Sequence, residues 1–283
     1  MASHSIESKL YGGKVVIKFF PESHIYYVNG KRKGSVTGAL NIIDKSKALI
    51  PWALGLYSDF LRGKIGQKIC EEFIAEGENM HTVRKSEAAG IGTAAHDWIE
   101  RYTKGEKPDM PDDKNVLQAV SGFLNWVDDN KIKFLESEKV VYSKKHDYIG
   151  TLDAIATMNG GRKKYLIDYK ASNGLYPGVA LQTAAYWKAD EEEAGTEFAG
   201  RWAIRLAKET EEEYMVRQEK KLNDYLRKYP DKSPYQIPPY MAFEAKNLDD
   251  GILKIDRDYK AFLHALQLAE IHYEIDREFF PGR

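Results

Sequence analysis

Residues 134–170 constrain the fold more than any other part of the sequence, because charged groups interrupt runs that otherwise read as buried strands. Buried strands rarely carry free charges. Three runs rich in β-branched and aromatic residues, 134–142, 148–157 and 164–170, are divided by His146-Asp147 and Asn159-Gly160-Gly161 turns. If Gly160-Gly161 forms a two-residue turn, counting outward equally places Asp153 opposite Asp168, and the strand period of two puts Lys170 on the same face as Asp168. A turn slipped by one residue makes the aspartates diagonal neighbours, still within reach of a common ion. Facing carboxylates repel unless something positive lies between them. Oxygen ligands without thiolate favour a hard divalent cation, magnesium or manganese, over zinc. Such an ion beside Lys170 is the arrangement that phosphodiester hydrolysis requires. The alternative is a surface hairpin with an ordinary Lys–Asp pair.

Upstream, residues 15–20 and 24–28 read as an opening hairpin closed by Asn29-Gly30. Ser35-Val36-Thr37 offers hydroxyl caps for a helical stretch, and Pro51 suits the first turn of a helix running to about Glu76, with Leu61, Ile65, Ile69 and Phe73 on one face. Further helices are expected over 91–104, ending at Gly105, and over 114–130, with Val116, Val120, Phe123, Leu124 and Val127 inward. Downstream come a helix over 179–192, a strand over 200–206 and a strand near 241–245. A long amphipathic helix over 253–275 follows, and the prolines from Pro230 to Pro239 argue against a continuous helix in the charged segment 209–232. The expected fold is one α/β domain over 1–283 with a mainly helical front (1–130), a catalytic core (131–206) and a C-terminal elaboration with a closing helix (207–283).

The motifs Gly150-Thr151-Leu152-Asp153, Asp168-Tyr169-Lys170, Gln182-Thr183-Ala184-Ala185-Tyr186 and Gly92-Thr93-Ala94-Ala95-His96 resemble, in order and spacing, those of the PD-(D/E)XK nuclease superfamily, in its RecB-like exonuclease branch. The likeness covers roughly Gly92 to Tyr186, and the stretch from Leu135 to Lys170 is also similar to mitochondrial genome maintenance exonucleases. The front hairpin with Ser35-Val36-Thr37 is similar to phage-type members. The resemblance implies a restriction-endonuclease-like core, a central mixed sheet flanked by helices. It implies Asp153, Asp168, the Tyr169 carbonyl and His96 as metal ligands, and Lys170 as catalytic lysine. Gln182 and Tyr186 would hold DNA or Lys170 through hydrogen bonds. Glu136 is a further candidate for supporting the site, with an exposed face as its alternative, and Glu100, one turn after His96, either orients the histidine or is solvated. The sequence departs from the family pattern in having Asp168 where glutamate is usual and Leu152 where proline is usual, and it lacks the cysteines of the iron–sulfur subset.

Cys70 is the sole cysteine, so neither an internal disulfide nor an iron–sulfur cluster is expected. No run approaches the length of a membrane span, and Met1-Ala2-Ser3-His4-Ser5 does not begin a signal peptide, so a cytoplasmic setting with no membrane partner is expected. With a net charge of −1, a polyanion must be held by local clusters such as Lys31-Arg32-Lys33, Lys144-Lys145 and Arg162-Lys163-Lys164. The expected function is a magnesium-dependent exonuclease acting on single-stranded or duplex DNA ends, in recombination, repair or phage DNA processing. The alternatives are a structure-specific or nicking endonuclease with the same site and a catalytically silent nucleic-acid-binding module.

Overall fold

A computed structural model describes residues 5–68, 70–250 and 254–279. The chain opens with an antiparallel sheet of four strands in sequence order, β1 (Ile6–Leu10), β2 (Val15–Phe20), β3 (Ile25–Val28) and β4 (Lys31–Lys33). Helices α1 (Val36–Leu40), α2 (Ser46–Gly63), α3 (Glu71–Thr103) and α4 (Lys114–Asp129) follow. A second sheet has the spatial order β5 (Lys133–Ser143), β6 (Tyr148–Thr157), β7 (Lys164–Ala171), β8 (Phe198–Leu206), β9 (Phe243–Asn247). It is mixed: β7 and β8 are parallel and the other neighbours antiparallel. Helix α5 (Gly178–Ala194) links the parallel pair, α6 (Glu211–Lys228) lies between β8 and β9, and α7 (Ile255–Phe279) comes last. No helix among the described residues is long and apolar enough to cross a membrane.

Local chemistry explains the boundaries. The Ser35 hydroxyl accepts the Gly38 N–H at the start of α1, and the Asp113 carboxylate accepts the Asn115 and Val116 N–H groups at the start of α4. Gly195, at φ 64°, ends α5 in the left-handed conformation that favours glycine. The β6–β7 turn is formed by Asn159 and Gly160, both with positive φ, as the mirror-image tight turn demands. It is therefore shifted by one residue from Gly160-Gly161. Arg162 and Lys163 then extend one arm, so that Thr157 still pairs with Lys164 and Ala154 with Ile167, the register that the sequence count anticipates.

Both faces of the second sheet are covered. Ala154, Ile167, Tyr169 and Ile204 pack against α3 and α4 through Ala95, Ile99, Phe123 and Val127. Leu152, Ile155 and Leu166 pack against α5 and α7 through Ala184, Ala185, Phe262 and Leu266. Trp98, Trp126 and Trp187 are all buried, as core residues. Arg201, fully buried on β8, pairs with Asp249 at 2.7 Å and Asp258 at 2.8 Å and so ties the start of α7 to the sheet.

Three expectations are corrected. The helix containing Pro51 stops at Gly63 rather than near Glu76, because the chain turns through Gly66 at φ 86° before α3 begins; Ile65 lies in that turn, 81% exposed, and Ile69 falls outside the described residues. The helix expected over 91–104 begins at Glu71, since no proline interrupts the sequence before it. The segment after β8 does form a continuous helix, α6, started by a capping box of Thr210 and Glu213, because its prolines all lie beyond Lys228.

Helix α5 is seated on β6 by one absent side chain. A Cβ on Gly150 would lie 2.5 Å from Tyr186 Cε1, so only glycine admits the buried tyrosine ring. Gly150→Ala should therefore destabilise the fold by about 1–3 kcal/mol, the usual cost of overpacking. Chemical denaturation checks this, and an unchanged midpoint would show that Tyr186 moves aside freely.

Candidate active site

The ladder of the second sheet is interrupted at the row of Asp153. Extended by one residue, the β5–β6 pairing (Ser137 with Ala154, Lys139 with Leu152) sets Glu138 opposite Asp153, and the β6–β7 pairing sets Asp153 opposite Asp168. Neither of these pairs belongs to the backbone ladder. Glu138 has φ 50°, and Leu152 and Ala154, which should share a face, pack on opposite sides of the sheet. Where the ladder opens, the Tyr169 N–H donates to Asp153 Oδ2 at 2.7 Å.

Helix α3 reaches this row through Gly92. A Cβ there would lie 3.1 Å from the Ala171 Cβ at the end of β7, so the missing side chain lets the helix approach. One turn on, His96 Nε2 lies 3.9 Å from Asp153 Oδ2 and 4.0 Å from Glu138 Oε1. At these distances the contacts are ion pairs, not hydrogen bonds. The His96 ring also meets the Tyr169 ring edge-on at 6.2 Å.

The expected site residues divide into groups. His96, Asp153, Asp168, Tyr169 and Lys170 converge. Lys170 Nζ is 2.6 Å from Asp168 Oδ2 and 3.5 Å from the Tyr169 carbonyl, so its ammonium occupies two of the oxygens that the nuclease resemblance assigns to a metal. Gln182 and Tyr186 share one face of α5, where Gln182 Nε2 donates to the Tyr186 hydroxyl at 3.0 Å. Glu136 does not join the cluster. It pairs with Lys139 at 3.0 Å, and Lys139 pairs with the buried Asp190 of α5 at 2.6 Å. Glu100 pairs with Lys104. The acid that does join is Glu138, which sequence reasoning missed; counting outward equally from Lys145-His146, as was done for the second hairpin, would have placed it opposite Asp153.

The donor set suits a hard cation. His96, Glu138 and Asp153 offer ligand atoms within 4.8 Å of one another. Asp168 is fully buried, and among the described residues neither of its oxygens takes a well-directed hydrogen bond, the close Lys170 ammonium being badly angled for one. An ionised carboxylate left so poorly satisfied is costly. No protein-family model matches the chain, and no curated protein matches it.

Charge is unevenly shared. Burial pushes Asp168 up to about 7, with the charge of Asp153 adding to it and that of Lys170 opposing. Burial and then Asp153 push Glu138 up to about 7. Burial works against ionised Asp153 too, but Lys170, His96 and the Tyr169 N–H outweigh it and hold this carboxyl below its usual range. Attraction to Asp153 holds His96 at about 9 against the effect of burial. Burial also disfavours charged Lys170, yet Asp168 and Asp153 more than offset it and keep the ammonium protonated.

Two results are expected. Asp168 is raised in the folded state, so its contribution to stability is full below the unfolded value near 3.8 and is lost as pH rises through about 7. In metal-free buffer Asp168→Asn should remove part of the fall in melting temperature between pH 4 and 7; an unchanged slope would contradict this assignment. Metal binding to the cluster must displace protons from His96 (about 9) and Glu138 (about 7), so manganese affinity should rise from about pH 6 to 9. Calorimetry in buffers of different ionisation enthalpy should show proton release, and binding without it would exclude these ligands.

Proposed function

We propose that the chain is a divalent-metal-dependent deoxyribonuclease of the RecB-like PD-(D/E)XK kind, with a restriction-endonuclease-like core, that hydrolyses phosphodiester bonds at DNA ends. The observation that carries this reading is the convergence of Asp153, Asp168, Lys170 and His96, from two strands and a helix, on a row where the ladder opens. The four motifs resembling that branch support it, and they lie on the elements just described.

Asp153, His96 and Glu138 would hold the ion, with Asp168 beside them. Magnesium or manganese bound there supplies Lewis acidity and a water acidified towards hydroxide. The protein's own groups do the rest. Asp153, kept ionised, is a ready anionic ligand. Lys170, kept protonated, is an electrophile and not a base in the metal-free state, suited to negative charge developing on a phosphoryl oxygen. Gln182 and the Tyr186 hydroxyl form a polar pair on α5, with the Tyr186 ring fixed against Gly150. Exonuclease action is drawn from the branch resembled, so linear DNA should be digested and covalently closed circles spared; cleavage of circles would point to a structure-specific or nicking endonuclease.

Lys170→Met keeps the apolar stem and removes the charge. It should retain DNA binding measured in calcium while single-turnover cleavage in magnesium falls at least about a hundredfold, on the order of 3 kcal/mol of transition-state stabilisation. Cleavage near the wild-type rate with greatly weakened binding would make Lys170 an electrostatic anchor instead.

A further inference from the structure

Lys208 lies two residues beyond the end of β8, and Ala171 ends β7. The two strands are parallel, and Ala171 is paired with Leu206, so both chains leave the sheet at the same end. Helix α3 passes over that end at Gly92. A Cβ on Gly92 would lie 3.2 Å from Lys208 Cε and 3.3 Å from Lys208 Nζ. The lysine stem thus fills the space that glycine leaves, and its ammonium sits four residues along α3 from His96, about 6 Å of helix axis.

Three half-buried lysines near the second sheet have partners: Lys139 pairs with Asp190, Lys170 with Asp168 and Lys188 with Glu191. Lys208 has neither a hydrogen bond nor an ion pair among the described residues. Burial lowers its pKa. A partly desolvated ammonium without a counter-charge is costly, and an anion brought beside it recovers that cost. Gly92 and Ala171, which border the same space, lie on the two elements that carry His96 and Lys170.

We propose that Lys208 binds a backbone phosphate of the DNA strand whose neighbouring phosphodiester lies at the Asp153–Asp168 row. This rests on the nucleic-acid reading of that row. Lysine acts on phosphate as a point charge without reading bases, so the contact contributes affinity irrespective of sequence and weakens with salt. Its role is to position the strand; it touches no reacting atom.

The test uses full-length protein, a labelled single-stranded DNA oligonucleotide and calcium in place of magnesium. Lys208→Met preserves the stem against Gly92, so its melting temperature should equal or exceed that of the wild type. Its affinity should be about five-fold lower at 0.1 M salt, and its log–log salt slope smaller by about 0.7, the value of one phosphate contact on a single strand. Lys208→Arg should restore both, and oligonucleotides of different sequence should be affected alike. Wild-type affinity and slope in Lys208→Met would overturn the proposal, as would a lowered melting temperature with binding intact, which would make Lys208 a packing residue. The wider reading fails separately. If the wild type binds the oligonucleotide with the predicted Lys208 dependence but cleaves nothing in magnesium, the phosphate contact stands and the hydrolytic assignment falls; if it binds no oligonucleotide, both fall.

Discussion

Three carboxylates in one row across three adjacent strands, Glu138, Asp153 and Asp168, set the terms for everything around them. The sheet that carries them is covered on both faces, so their repulsion is poorly screened by water. A regular ladder with closely packed side chains would leave them facing one another without compensation. Instead the ladder opens, Glu138 takes a left-handed backbone, and the freed Tyr169 N–H turns to Asp153. Lys170 and His96 supply the positive charge. Even so the compensation is partial: only Asp153 is held below the normal carboxyl range, while Asp168 and Glu138 are pushed towards neutrality.

The helices on either side are brought close by missing side chains. Gly92 lets α3 lie against the end of β7, which sets His96 over the row, and Gly150 accepts the Tyr186 ring, which sets Gln182 and Tyr186 on α5 nearby. The glycines in the two sequence motifs are thus explained by packing, independently of any chemistry. Regular apolar packing on both faces then holds a locally irregular and electrostatically unfavourable centre in place.

The parts of this arrangement that depend on local pattern were legible in the sequence. Turn residues and alternation located β5, β6 and β7, and the count from Gly160-Gly161 reached the right register although the turn is centred one residue earlier. Helix α4 and its buried face follow from the spacing of Val116, Val120, Phe123 and Val127. What escaped depends on tertiary context. The flanking strands β1 and β4 of the first sheet are short or charged, so neither carries a strong strand pattern. The start of α3 is hidden in a continuous helix-compatible run, and α6 was obscured by prolines that belong to the following segment. Glu136 and Glu138 cannot be told apart by strand parity. A bulge near Phe134 and the positive φ of Glu138 send one to Lys139 and the other to His96. That Lys208 has no partner among the described residues is equally invisible in sequence, because it is a statement about what does not lie near it.

The central claim is that this row is a divalent-cation site. The most direct measurement is anomalous diffraction from crystals of the protein grown with manganese at pH 8, where proton competition from Glu138 and Asp168, both near 7, is relieved. The account predicts a strong anomalous peak within direct ligand distance of the Asp153 carboxylate, with His96 or Glu138 as a second protein ligand and Lys170 displaced from Asp168. Full manganese occupancy elsewhere on the molecule, with Lys170 still against Asp168 and no peak beside Asp153, would contradict it.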